Sequence, residues 1–309
     1  MRVPTQQQAM PISAVERETG LSKDTLRIWE RRYGFPQPIR DDNGDRLYPS
    51  LQVDRLRMIK RLIDSGFRPG KIILCADAEL QELTRACGGP APPPEKMQEL
   101  GRFISLIHKR QGPELRKLLK YQLMRVGLRQ FVIELIAPLN VLVRQERMNG
   151  ELEVFDEHLY NELTQGILHN AISSAHMTAQ QPRVLLTSFP NEQQAIDLLM
   201  TEAILVSESV DVISLGVQLP VSAIAAAAIA HQVDIVALSF SGASPGNHLC
   251  QGLKDLRQFL PTEIVIWAGG PGTAQIRRPP ESVMIAPSFT VLEKAVVDWR
   301  RHRHEEASG

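Results

Sequence analysis

The stretch Leu21-Ser-Lys-Asp-Thr-Leu-Arg-Ile-Trp-Glu-Arg-Arg-Tyr-Gly34 decides how the chain begins to fold. Ser22 is placed to cap a helix and Gly34 to end it: a serine oxygen accepts an orphan backbone N–H, and glycine tolerates the left-handed conformation at a helix stop. Leu26, Trp29 and Tyr33 recur about a turn apart and give this helix an apolar face, while Lys23, Arg27 and Arg31 fall on another. Such a helix packs on one side and offers cations on the other. Upstream, Ser13 and Glu16 form a capping-box pattern that opens a shorter helix ending at Gly20. Two helices with a glycine between them predict a helix-turn-helix, whose second helix enters a DNA major groove. An ordinary amphipathic surface helix is the plainer alternative.

The residues that follow favour the first reading. Arg40 to Tyr48 is polar and turn-rich, with Asn43-Gly44 as a hairpin signal and Arg46-Leu47-Tyr48 as a returning strand. A helix-turn-helix, a hairpin wing and a helix begun by Pro49-Ser50 are the plan of a winged DNA-binding domain. Val53, Leu56, Ile59, Leu62 and Ile63 keep helical spacing up to Gly66, predicting a third helix under the first two, and Pro69 opens a further one toward Arg85.

Thr25 to Gly34, Asn43 to Tyr48, Arg55-Leu-Arg-Met-Ile-Lys60 and Asp64-Ser-Gly-Phe67, in this order, closely resemble the N-terminal domain of MerR-type transcriptional regulators from about Pro11 to Leu74. The family often has His where this chain has Asp45. The resemblance implies a recognition helix that presents Lys23, Thr25, Arg27, Arg31 and Arg32 to DNA. Arg46 and Tyr48 in the wing are then expected on backbone phosphates, and Trp29 and Tyr33 in structural roles. It also implies three partners: double-stranded operator DNA, further copies of the chain in a homodimer or higher homo-oligomer, and RNA polymerase. Distortion of the promoter spacer would activate, and simple occlusion would repress.

Over the whole 309 residues, 35 Lys and Arg balance 35 Asp and Glu, which by itself argues against a nucleic-acid binder. The distribution reverses that inference. Residues 1–71 hold 14 basic and 9 acidic side chains, leaving 21 and 26 for the remainder, so the positive charge sits where phosphate neutralisation needs it. Cys75, Cys87 and Cys250 are far apart and lack metal-ligand spacing, which argues against a disulfide framework or structural zinc. Residues 1–10 are polar and do not resemble a signal peptide, and no later run is long enough to span a bilayer. A cytoplasmic protein without membrane contact is expected.

Cys87-Gly-Gly-Pro-Ala-Pro-Pro-Pro94 forbids helix continuation and marks a linker. Apolar stripes from Phe103 to Ile172, interrupted at Gly112-Pro113, Gly127 and Asn149-Gly150, then predict a four-helix bundle, with Pro138 kinking its third helix. From Pro182, five short apolar runs alternate with helical ones: Arg183–Ser188, Asp211–Gly216, Asp234–Ser239, Glu263–Ala268 and Ser282–Ala286. This alternation predicts a parallel sheet covered on both faces, of Rossmann or flavodoxin type, with ligands at the carboxyl ends of its strands. The expected organisation is therefore multidomain, α and α/β. Residues 1–86 form the winged helix-turn-helix, 87–94 the linker, 95–180 the bundle and 181–309 the Rossmann-type domain.

A bundle followed by such a sheet resembles the cobalamin-binding module of methionine synthase and of light-responsive MerR-type repressors that use adenosylcobalamin. In those proteins the first strand leads into Glu/Asp-x-His-x-x-Gly, a later strand supplies Ser-x-Leu or a relative of it, and the next ends in Gly-Gly. Here Glu192-Gln-Gln-Ala-Ile-Asp197, Ser239-Phe-Ser241 and Gly269-Gly270 occupy those places. The serines and glycines match. Gln194, however, replaces the cobalt-ligating His and Asp197 the Gly. A carboxamide is a poor cobalt donor compared with a neutral imidazole, and a carboxylate adds bulk and charge where the corrin would approach. In the bundle the repressors' Trp, nine residues, Glu-His becomes Arg147, nine residues, Glu157-His158, so the aromatic lid is lost.

These departures together predict a module that no longer uses cobalamin and serves oligomerisation or partner docking. The alternatives are a sensor that still holds a corrinoid or another ligand without the His, and a corrinoid-dependent enzyme or carrier, which a winged domain disfavours. Other features carry plainer readings. His158 reads as a bundle histidine, His169 and His176 lack a third metal ligand, and Gly269-Gly-Pro-Gly272 suits a tight turn as well as a phosphate cradle. Arg300-Arg-His-Arg-His304 reads as a solvated tail.

Overall fold

The computed structural model describes residues 9–41, 44–64, 67–80, 83, 94–175, 179–241, 244, 246–276 and 278–308. Asn43, Gly66, Cys87, His176, Arg277 and the glycine- and proline-rich run up to residue 93 lie outside them. The chain divides into two compact units, Met1–Ala91 and Pro92–Gly309.

In the first unit, β1 (Ala9–Pro11) leads into α1 (Ile12–Thr19), followed by α2 (Lys23–Tyr33), β2 (Ile39–Arg40), β3 (Arg46–Pro49), α3 (Ser50–Asp64) and the short α4 (Pro69–Ile72). The central strand β3 pairs antiparallel with β1 through Met10 opposite Tyr48 and with β2 through Arg40 opposite Arg46. Strand β1 was not legible in the sequence, and its presence explains a correction at the first helix. The extended Ala9–Pro11 segment hands over directly to α1, so Pro11 takes the cap position and Ser13 lies inside the helix. Glu16 does not reach back to its own helix. Its carboxylate instead accepts the Lys23 backbone N–H at 3.2 Å, at the start of α2. That second helix is capped as its sequence requires: Ser22 Oγ accepts the Thr25 N–H, and Gly34 closes the helix at φ 69°.

Val15, Leu26, Trp29, Tyr48, Val53, Leu56, Ile59 and Leu62 are buried together, so α1, α2, α3 and β3 share one core. The expected helix from Pro69 toward Arg85 is interrupted after Ile72 by a turn, and helical geometry resumes at 77–80. The Arg55 guanidinium occupies that interruption, donating to the Ile73 and Cys75 carbonyls and to Asp77.

The second unit begins with a bundle of α5 (Pro94–His108), α6 (Gly112–Val126), α7 (Leu128–Gln130) running through a π-helical turn (Phe131–Ile136) into α8 (Ala137–Asn149), and α9 (Val154–Ser174). Pro138 lacks an N–H and its ring would strike the carbonyl four residues earlier. The widened ladder before it relieves both problems where a simple kink was expected.

The sheet follows: β4 (Gln180–Thr187), β5 (Val210–Ser214), β6 (Ile235–Ser239), β7 (Val265–Gly269) and β8 (Val283–Ala286), all parallel. Their order, β5-β4-β6-β7-β8, is the flavodoxin-like one, with its switch point between β4 and β6. One sheet face shares a core with the bundle, with α10 (Ala195–Ser207) and with α13 (Phe289–Ser308). The other packs on α11 (Val221–Ala230) and α12 (Gly246–Phe259). Among the described residues no helix is long and apolar enough to cross a membrane.

Gly270 and Gly150 separate two kinds of glycine constraint. Gly150 ends α8 in the left-handed region with open space around a would-be Cβ, whereas Gly270, at φ 87° and ψ 170°, would place a Cβ 2.5 Å from the Phe240 carbonyl oxygen. Gly150→Ala is expected to cost about 1 to 2 kcal/mol, the penalty for a left-handed L-residue. Gly270→Ala adds a backbone collision in a nearly glycine-only region and should cost visibly more. Urea unfolding of the two variants measures the difference.

Candidate nucleic-acid interface and the cleft beside the sheet

The face of α2 turned from the core carries Asp24, Arg27, Ile28 and Arg31, spaced by one and two turns, with Lys23 and Arg32 on its flanks. Arg27, Arg31 and Arg32 are exposed. Arg27 lies 3.6 Å from the well-exposed Asp24 carboxylate, and at this exposure the pair constrains the guanidinium little. Lys23 sits 3.6 Å from Glu16, and Arg32 stacks over the Tyr33 ring. Thr25 is spoken for, its hydroxyl lying 2.8 Å from Ser22 Oγ at the helix cap.

The wing departs from the sequence expectation. Tyr48 was expected on a phosphate, yet its ring is fully buried beneath the helices and its hydroxyl has no partner among the described residues. Alternation along β3 explains this: Arg46 and Tyr48 share one sheet face, and Tyr48 faces the apolar side chains of α1 and α3. Burial, and then the nearby Glu30 carboxylate, push its phenol above the ordinary value, so it stays neutral. Arg46, also expected on a phosphate, is half-buried and donates from Nε to Glu30 of α2 at 2.9 Å. That bond, with the same carboxylate's charge, raises its pKa further. It ties the wing to the recognition helix.

In the second unit the strand ends at the switch point carry Glu192, Ser239, Ser241, Gly269 and Gly270. Glu192 is only 2% exposed, yet its carboxylate accepts from the Ser241 N–H at 2.8 Å, the Ser241 hydroxyl at 2.6 Å and the Ser244 N–H at 3.3 Å. Ser188 Oγ in turn donates to the Glu192 carbonyl and accepts the Gln218 N–H. Glu192 therefore stitches the loops after β4 and β6 together. Ser239 is buried at the end of β6 opposite Gly269. Gly270 is required by the backbone around Phe240. Phe189 packs on Phe240 and against Gly252, where a Cβ would fall 2.6 Å from its ring.

Between α8, α9 and the start of α10 lies a small cleft. Gln194 is exposed just before α10, and with Asn140, Arg144, Glu157, Tyr160 and Ile196 it lines a cavity of about 10 Å³, enough for about one water. The groups around it are already paired. Tyr160 donates to Asn140 at 2.5 Å, Arg144 reaches Asp197 at 3.4 Å, and Arg147 reaches Glu157 at 3.6 Å. His158 points to solvent, so it is neither a cleft residue nor a buried bundle histidine. These residues do not fit a corrin: among the described residues lining the cavity there is no imidazole, and the pairs around it leave space for about one water.

Sequence reasoning noticed Asp197 as a substitution but missed its partner. Arg144 and Arg147 stand one turn apart on α8, and opposite charges at 157 and 197 were the available signal. Asp197 is 6% exposed and its Oδ2 has no partner among the described residues. Burial raises its pKa, with Arg144 opposing.

Residues 10–78 match the family described as MerR HTH family regulatory protein. Over 267 residues the chain is 29% identical to the HTH-type transcriptional repressor CarA of Myxococcus xanthus, covering 85% of this chain and 87% of that one. It is 28% identical over 257 residues to CarH of the same organism, covering 81% and 85%. Among solved structures, the monomethylamine corrinoid protein of Methanosarcina barkeri shares the fold at a TM-score of 0.54 and 12% identity, over 65% of this chain and 99% of that one. A helix-turn-helix with a cationic outer face, joined to a corrinoid-protein-like bundle and sheet, defines a DNA-binding transcriptional regulator. Its residues 10–78 carry a MerR-type helix-turn-helix, and its second unit has the fold of a corrinoid protein.

The raised pKa of Asp197 sets a pH signature. A carboxyl whose folded pKa exceeds its unfolded one binds more protons when folded, so its favourable contribution is complete below the unfolded pKa and is lost as pH rises through the folded pKa. Asp197→Asn cannot ionise. Its stability relative to the unsubstituted chain should therefore climb as pH rises upward from the ordinary carboxylate range, and denaturation of both proteins across that range checks the slope.

Proposed function

We propose that this protein represses by occupying operator DNA through Arg27 and Arg31 of α2, and that its second unit works without cobalamin as an oligomerisation or partner-docking module. The observation that carries the second half is the paired network of Asn140, Tyr160, Arg144 and Asp197 across a cleft with room for about one water. Opening this cleft to a bulky ligand would part Arg144 from Asp197 and leave a buried carboxylate without its counter-ion, at a cost of several kcal/mol.

The exposed arginines support the first half. Each can fork two N–H donors to a guanine edge or grip a phosphate. Arg46 acts on DNA through the position it gives the wing, and Tyr48 through the core it fills. CarA and CarH are each named a transcriptional repressor, which favours repression over activation. A homodimer engaging two half-sites is the arrangement that a helix-turn-helix reads most readily.

Arg27→Ala should lower specific affinity by about 1 to 3 kcal/mol if Arg27 reads a base edge. A mobility-shift titration with unchanged specific binding would remove it from the interface. After incubation with adenosylcobalamin in the dark and desalting, the protein should retain no corrin absorbance, and its sedimentation should be the same in dark and light. Stoichiometric retention of the corrinoid would overturn the cobalamin-independent reading.

A further inference from the structure

The cationic face of α2 contains one residue that electrostatics does not explain. Ile28 is 47% exposed, and among the described residues of α2 it is the one large apolar side chain left in solvent. It lies one residue from Arg27, one turn from Asp24 and one turn from Arg31, on the same outward stripe. Leu26 and Trp29 beside it in sequence are buried, so Ile28 is not a frayed part of the core.

A protein partner is a poor match for it, because the centres of protein interfaces are depleted of charge and Ile28 is ringed by ionised groups. DNA offers a different occupant. In the major groove the one apolar group on any base edge is the thymine 5-methyl, and it lies among the acceptors and donors that arginines address. Resting on the DNA-binding reading above, we propose that Ile28 is a specificity residue that packs on a thymine methyl within each half-site. Arg27 and Arg31 take the neighbouring polar edges or phosphates. Ile28 thereby converts a charge-driven face into one that distinguishes thymine from cytosine.

Replacing thymine by uracil removes that methyl and nothing else. Full-length protein would first select duplexes from a random library. Each thymine of the selected half-site would then be changed singly to uracil, and dissociation constants measured at one fixed salt for the unsubstituted chain, Ile28→Ala and Arg31→Ala. At one thymine position, uracil should weaken the unsubstituted chain about fourfold per half-site, the worth of burying one methyl-sized group. Ile28→Ala should show a similar loss on the thymine duplex and no further loss with uracil at that position, whereas Arg31→Ala should keep its sensitivity to uracil. The salt slope should fall for Arg31→Ala alone, since an uncharged side chain releases no counterions. Uracil effects that are absent, or identical in the unsubstituted chain and Ile28→Ala, would overturn the assignment of Ile28 while leaving DNA binding intact. Failure of the unsubstituted chain to select any duplex would overturn the DNA-binding reading and this proposal with it.

Discussion

A carboxylate withdrawn from water must find donors or a counter-ion, and the second unit is built around two such groups on adjoining turns of chain. Glu192 finds backbone and hydroxyl donors in the loop after β6, and so fixes the strand ends at the switch point. Asp197, in the first turn of α10, finds Arg144 from the bundle. The loop leading into α10 thus binds the sheet loops, and the first turn of α10 binds the bundle. Charge-assisted hydrogen bonds of this kind are worth about 1.5 to 3 kcal/mol each, and losing one partner leaves the other exposed to the full desolvation cost. The closeness of bundle and sheet is therefore set by electrostatics as well as by their shared apolar core.

The two carboxylates have duties within the protein itself. Glu192 keeps the position of the acidic residue in the resembling motif, and its structural duty is independent of any ligand. Asp197 meets Arg144, and Arg147 meets Glu157. Each contributes one half of an ion pair. The two charges of each pair support one another, since either alone would be a buried liability.

Much of the architecture was legible because local signals and burial agreed. Ser22, Gly34 and the Leu26–Trp29 stripe specified α2 from within its own sequence, and alternating apolar runs specified the five strands and their parallel pairing. What escaped depended on contacts remote in sequence. Strand β1 is a short segment with little pattern of its own, defined by its partner β3. Glu16 looked like a cap for its own helix and serves the next. Tyr48 has the composition of a phosphate contact, yet strand alternation turned it into the core. The Arg144–Asp197 pair joins residues far apart in the chain, and spacing cannot reveal which of many charges will meet.

The bond from Arg46 to Glu30 joins the wing to α2, so the spacing between two elements that would straddle a duplex is biased within the protein. A duplex whose groove already matches that spacing would need less deformation on binding, a preference felt even at bases that no side chain touches.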